Sequence, residues 1–346
     1  MTGNAEFYQS HLDRVSRSFA FCIRQLPHPL HDWIGLSYLL CRVVDTIEDS
    51  AWPSLESQMA AFELFDRALK DEGQVVKLED WAKAFPDNVP ESERLLLNDA
   101  SRLFRDFHAF PEQVHGIIQE LVLSMSSGMQ HFCQQRENGS LRLKNLAEVN
   151  QYCFFVAGVV GELLAKLMAK VEPRFGLSQL NLLRAHHFGL FLQKVNLLKD
   201  QVGDEKVGRH LIPSRDLVED SSQENANQAF DFLLDLPREQ IEFRRFCAWS
   251  LFMGLEAMSV ARNSLLKNRV LKIPRAELET LLIKVEEALA DDGALRSLFS
   301  FFTSKLGWPK TLPRTQVTPA FPDWLLKIYP GPLNSASLAQ LGVTSV

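Results

Sequence analysis

Between Gly189 and Pro213 the chain reads GLFLQKVNLLKDQVGDEKVGRHLIP, and this stretch limits the fold more than any other. Leu190, Phe191, Val195, Leu197 and Leu198 recur with a helical period, which they fit far better than the strict alternation of a strand. In the same stretch Gln193, Asn196, Asp200 and Asp204 step by three and four residues, so a helix stacks them on one stripe. Two amides and two carboxylates are an odd choice beside an apolar core. Lys206 and Arg209 follow at once. The pattern predicts hard cations held by oxygen ligands, with basic side chains nearby to complete the neutralisation of an anion.

An aspartate pair at i,i+4 is by itself usually solvated helix surface. Here it has a counterpart. Asp45, Glu48 and Asp49, in VVDTIEDS, repeat the i, i+3, i+4 pattern behind an apolar run from Ile34 to Val44. Two carboxylates about 6 Å apart repel by roughly 3 kcal/mol at an effective dielectric of 20. Two such clusters brought together need divalent cations, and with cations they bind diphosphate, since Mg²⁺ uses a few carboxylates plus water and substrate phosphate.

The rest of the chain predicts helices over 5–26, 30–49, 55–71, 91–107 and from Pro111 to about 135, then one capped by Asn145. Further helices are expected over 177–203, 222–235, 238–267, 275–291 and 293–305, with almost no strand signal and no repeat. The fold class is therefore all-α, a single-domain helical bundle over 1–306, followed by an irregular Pro-rich tail over 307–346. At 346 residues and 46% hydrophobic, the chain can bury a large core. A formal charge of −6 argues against a nucleic-acid partner. Five scattered cysteines without a CxxC pair suit a reducing compartment, and the polar N-terminus is no signal peptide. No window of 18 apolar residues is expected to span a membrane, which predicts a cytoplasmic protein.

Several short motifs then occur in a specific order. They are Ser16-Arg-Ser-Phe19, Tyr38 with Arg42, Asp45-Thr-Ile-Glu-Asp49, and Gly128-Met129 with Phe132. Tyr152-Cys, Val156-Ala-Gly158 with Gly161, the run from Gly189 to Arg209, and Lys272-Ile-Pro-Arg275 complete the series. In order and spacing this resembles the squalene/phytoene synthase family, whose members join two isoprenoid diphosphates head to head. The Gln193-Lys194-x-Asn196 block is similar to that of the squalene-forming branch. The second acidic cluster, Asp200-Gln-Val-Gly-Asp204, lacks the extra acid often found before its last aspartate. No membrane helix follows at the C-terminal end, so membrane contact is expected to be peripheral.

The resemblance implies an isoprenoid-synthase bundle around a large central cavity, and a reaction in two halves. Two farnesyl diphosphates give presqualene diphosphate, which NADPH then reduces to squalene. Asp45, Asp49, Asp200 and Asp204 would bind Mg²⁺, with Glu48 and Asn196 as supporting oxygens. Arg17, Arg42 and Arg209 would grip phosphate oxygens, Ser16 would add a hydrogen bond, and Gln193 would contact substrate. Tyr38 and Tyr152 would stand near the reacting carbons, with Tyr152 handling a proton. Phe19 and Phe246 would line the cavity, and Val156, Ala157, Gly158 and Gly161 would be small to leave room for the chains. Lys272 and Arg275 would hold NADPH. The duller readings are core tyrosines, an Arg42 that pairs with Asp45 or Glu48, and exposed cations at a helix start. His186 and His187 are expected to be structural or surface residues. The partner is a small isoprenoid diphosphate and a monomer is favoured. Rival outcomes are a synthase that stops at dehydrosqualene, hydroxysqualene or phytoene, and a non-catalytic assembly factor.

Overall fold

Prolines and short polar caps divide the apolar periodicity into helices. The computed structural model describes residues 3–266, 273–308, 322–333, 337 and 340–342. Its contacts group the chain into two units, Met1–Gln135 with Lys166–Glu172, and Arg136–Ala165 with Pro173–Val346.

In the first unit, α1 (Gly3–Val15) and α2 (Arg17–Ile23) replace the single helix expected over 5–26. The break is at Ser16, whose backbone is extended and whose hydroxyl accepts from Phe19 N as the cap of α2. Pro29 precedes α3 (Leu30–Asp49), most of which is buried. A Ser54–Ser57 capping box opens α4 (Leu55–Lys70). The segment expected as one helix over 91–107 is two, α5 (Glu91–Asn98) and α6 (Ala100–His108), which part at Asp99. Pro111 precedes α7 (Glu112–Gln134) as expected. Helix α3 packs against α1, α4, α5 and α7, which fixes its acidic end within the unit.

In the second unit, β1 (Leu141–Arg142) pairs in parallel with β2 (Arg209–His210), Leu141 opposite Arg209. Asn145 caps α8 (Leu146–Cys153), its side chain accepting from Glu148 N. A π-helical turn, Phe154–Gly158, then leads into α9 (Val159–Val171). Helix α10 (Gln179–Lys206) packs on α8, the π-turn, α11 (Arg215–Asp235) and α12 (Ile241–Leu266). The chain continues through α13 (Arg275–Ala288), α14 (Asp292–Lys305) and α15 (Asp323–Ile328).

The glycines explain how α10 comes so close to α9 and the π-turn. A Cβ on Gly161 would lie 1.9 Å from Ala185 O, and one on Gly189 would lie 2.0 Å from Ala157 O. Neither backbone can yield that much, so only glycine permits the crossing. A Cβ on Gly158 would meet Leu190 Cδ1 at 2.8 Å. This corrects the expectation that Gly158 and Gly161 leave room for a substrate chain. Their missing side chains are replaced by α10.

Two more expectations change. The helical stretch Leu146–Val171 is long and apolar enough to cross a membrane, but 67% of its apolar window is buried inside the protein. It packs as a core helix. The tail, expected to be irregular, contains α15 and buries Leu325, Tyr329, Leu333 and Leu341. Full burial of a leucine such as Leu325 contributes about 1.5–3 kcal/mol.

Candidate active site

Helix α3 presents Tyr38, Arg42, Asp45 and Asp49 at successive steps of four, three and four residues, along one face. Arg42 Nη1 donates to Asp45 Oδ2 at 3.2 Å and Nη2 to Glu93 Oε1 at 2.8 Å. Burial disfavours the guanidinium charge, but Asp45 and Glu93 outweigh it and push Arg42 further up. The Tyr38 and Phe19 rings lie 5.7 Å apart. Burial raises the Tyr38 phenol, opposed by a hydrogen bond to Ser16 and by the Arg42 charge. Burial and the Asp45 charge push the Cys41 thiol up to about 12. Ser16, Phe19, Tyr38, Arg42 and Asp45 thus form one connected group. Asp49 is exposed at the helix end, whereas Glu48 is buried at 2% exposure. Arg17 belongs to α2, but its side chain lies outside the described residues.

In the second unit the stripe on α10 exists as predicted: Gln193, Asn196, Asp200 and Asp204 are all half-buried. Lys199 Nζ donates to Asn196 Oδ1 and pairs with Asp200 Oδ2, each at 3.2 Å. Just past α10, β2 holds Arg209. Its Nη2 donates to the hydroxyl oxygen of the buried Tyr152 at 3.0 Å, and its Nε lies 3.9 Å from Asp204 Oδ1. A phenol, a guanidinium and a carboxylate of the acidic cluster therefore form one chain. Val156 and Ala157 are half-buried on the π-turn. Phe246 is buried, its ring 5.9 Å from Phe243.

A sequence model of the squalene/phytoene synthase family matches residues 12–248, more than half of the chain. The chain belongs to the squalene/phytoene synthase family. The squalene synthase of Schizosaccharomyces pombe is 30% identical over 207 residues, 58% of this chain and 42% of that protein. The squalene synthase of Cyberlindnera jadinii is 28% identical over 301 residues, 79% of this chain and 65% of that protein. The chain spans about two fifths to two thirds of the length of these relatives. A solved complex of TcSQS with the ligand BPH1237 superposes with a TM-score of 0.67 at 21% identity, covering 98% of both chains. That likeness concerns the fold, which is all-α, as the sequence predicts.

Every acid read as a metal ligand of this synthase-family chain lies within the matched residues. Among the described residues no three His, Cys, Asp or Glu side chains converge as a closed metal cage. Mg²⁺ does not require one, because it usually binds through one or two carboxylates with waters and substrate phosphates. Asp45 and Asp200 fit that manner of binding. Each is partly exposed and already held by a cation, Arg42 or Lys199. Buried Glu48 fits it least. Of the residues expected to hold NADPH, Lys272 lies outside the described residues. Arg275 opens α13 after Pro274, almost fully exposed and paired with Glu279 at 2.9 Å. An exposed guanidinium suits a phosphate grip, although its i,i+4 pairing is also that of an ordinary helix start.

The sequence reading missed buried Glu162 and the burial of Lys194 in this family member, whereas His186 and His187, expected to be structural or surface residues, are buried within the structure. Lys194 has no exposure, and donates to Ser221 Oγ at 2.5 Å and Asn225 Oδ1 at 2.6 Å. Burial pushes its ammonium down to about 8. His187 takes Asn225 Nδ2 at 2.8 Å, and burial together with the Lys194 charge lowers it to about 3. Glu162, also without exposure, pairs with His186 Nε2 at 2.8 Å. A signal was present. Lys194 follows Leu190 by four and Phe191 by three, in phase with the apolar face rather than with the polar stripe.

Proposed function

We propose that the protein is a squalene synthase, condensing two farnesyl diphosphates to presqualene diphosphate and reducing that intermediate to squalene with NADPH. The observation that carries the reading is the chain from Tyr152 through Arg209 to Asp204, inside the matched family region. Because Arg209 donates to the phenol oxygen, the Tyr152 hydroxyl can give its own proton to an acceptor such as departing pyrophosphate. The charged, forked guanidinium orients that phenol and holds phosphate oxygens. Asp45 and Asp49, and Asp200 and Asp204 with Asn196, are the residues that would hold Mg²⁺. Bound Mg²⁺ makes diphosphate a better leaving group by neutralising charge that grows on its oxygens. Tyr38 and Phe19 offer aromatic faces to an allylic cation, each worth about 0.5–2 kcal/mol. Val156, Ala157 and Phe246 supply apolar surface to the chains, while Ser16, Arg17, Arg42 and Gln193 hold the polar head. Arg275 with Lys272 would bind the phosphates of NADPH, which supplies a hydride when bound.

The test is direct. Purified protein is incubated with farnesyl diphosphate and Mg²⁺, with and without NADPH, and the products are identified by mass spectrometry. Squalene should form only with NADPH, and presqualene diphosphate should accumulate without it. An identical product under both conditions would replace this reading with a dehydrosqualene or phytoene synthase. No pyrophosphate release from farnesyl or geranylgeranyl diphosphate would leave only a non-catalytic family member.

A further inference from the structure

The chain beyond residue 321 returns to the helix that carries Tyr152. Buried Tyr329 donates its hydroxyl to Glu162 Oε2, the oxygen that also pairs with His186. The His186 ring lies flat on Phe154, with centroids 4.8 Å apart and planes 8° apart. The Tyr329 ring meets the same Phe154 edge-on at 5.0 Å, and Trp324 stands 5.5 Å from Phe155. Two further hydrogen bonds tie the tail to the same region. Asn150 Nδ2 donates to Gly342 O at 2.9 Å, and Gln179 Nε2 donates to Pro332 O at 2.8 Å.

Phe154 and Phe155 are the first two residues of the π-turn, and Tyr152 stands just before it. A π-turn contains one residue more than the α-turn it replaces, and it persists where its surroundings hold it. The C-terminal side of this one cannot rotate, because Gly161 lies against the backbone of Ala185. Relaxation of the π-turn to α would therefore be taken up on the N-terminal side. One residue corresponds to about 100° around a helix axis, so Tyr152 would swing off Arg209. The rings of Trp324 and Tyr329 press on the two residues that would have to move. Glu162 fixes Tyr329 in turn, since a carboxylate in the interior needs its donors.

We propose that the tail, through Trp324 and Tyr329, holds the π-turn in register, and that Tyr329 is a positioning residue for Tyr152. The register claim stands on the packing alone, while its kinetic consequence rests on the synthase reading. Hydrogen exchange is measured by mass spectrometry on the full chain, as wild type, Tyr329→Phe and Trp324→Leu. Exchange across 154–158 should rise about tenfold in Tyr329→Phe, the scale of one lost hydrogen bond to a carboxylate. Exchange in α3 and α11 should not change. With farnesyl diphosphate, kcat should fall about tenfold while KM stays within about twofold. Trp324→Leu leaves the Tyr329 hydroxyl in place and should raise exchange at the same residues, which preserves the test if Tyr329→Phe does not fold. Unchanged exchange at 154–158, or an increase spread evenly over the chain, would overturn the proposal. If the wild type shows no turnover at all, the synthase reading fails and the exchange result still decides the register.

Discussion

On α3 the acids stand at the end of a helix fixed from several sides, whereas on α10 they lie along two turns whose polar contacts are mostly partly exposed. Asp45 is tied to Arg42, and Arg42 to the largely buried Glu93. The last carbonyls of α3 are capped from outside: Trp52 Nε1 donates to Ile47 O at 2.8 Å, and Gln58 Nε2 donates to Ile47 O and Glu48 O. On α10 the flexible Lys199 serves both Asn196 and Asp200. Exposed pairs of that kind are worth about 0–1 kcal/mol. The comparison separates two duties. On α3 Asp45 is preorganised by Arg42, itself anchored on the largely buried Glu93, so altering Asp45 costs stability as well as chemistry. The α10 cluster can rearrange around an anion at little cost, and its fixed point is Arg209 on Tyr152.

The largest expected effect tests that difference. Asp45→Asn and Asp200→Asn should each cut Mg²⁺-dependent pyrophosphate release by at least about 10³-fold, the several kcal/mol that metal-assisted charge neutralisation supplies. Only Asp45→Asn should also lower the melting temperature, because it strips a carboxylate from the half-buried Arg42. Equal destabilisation by the two changes would break the contrast, and normal turnover in either would remove that residue from the ligands. Tyr152→Phe should follow with a loss of about 100-fold, at the low end for general acid–base help. Arg209→Lys keeps the charge but loses the fork, and should cost about tenfold in kcat. If Arg209→Lys proved more damaging than Tyr152→Phe, Arg209 would act chiefly on phosphate and the phenol would be secondary.

The polar stripe on α10 was legible because helical spacing is written directly in the sequence, and each acid is a surface-type residue where an apolar one would be cheaper. The α3 cluster was legible for the same reason, as was the all-α class. The link from Arg209 to Tyr152 was not legible, since it depends on a two-residue strand pair between segments far apart in sequence. Gly158 and Gly161 were misread as room for substrate. Small side chains before a cavity and before a closely packed helix look alike until the partner backbone is placed. The tail misled through its prolines, which forbid long helices but not the single short helix that docks there. Lys194 and His187 sat in the apolar phase, and only their partners Ser221 and Asn225, a helix away, explain them.

Those buried groups give the smallest effect and the last contrast between the units. In the first unit His11 is buried beside Asp99 at 2.9 Å; burial lowers its pKa, and the carboxylate opposes that shift. In the second unit no carboxylate offsets the burial of His187 among the influences on its titration: burial comes first, and the charges of Lys194 and His186 add to it. With a folded value of about 3 against 6.5 unfolded, the native state binds fewer protons than the unfolded chain between these limits. Stability is therefore fully present above about pH 6.5 and is lost as pH falls through the window, by up to about 1.4 kcal/mol per pH unit. His187→Gln keeps an acceptor for Asn225 and removes the titration. Urea unfolding at pH 6 and pH 5 should show the wild type losing about 1 kcal/mol more than His187→Gln over that step. The matching His11→Gln change should alter the step by less, because Asp99 stabilises the protonated ring. Equal steps for wild type and His187→Gln would mean that acid opens the second unit elsewhere, and the buried Lys194–Asn225–His187 group would then have no part in its pH response.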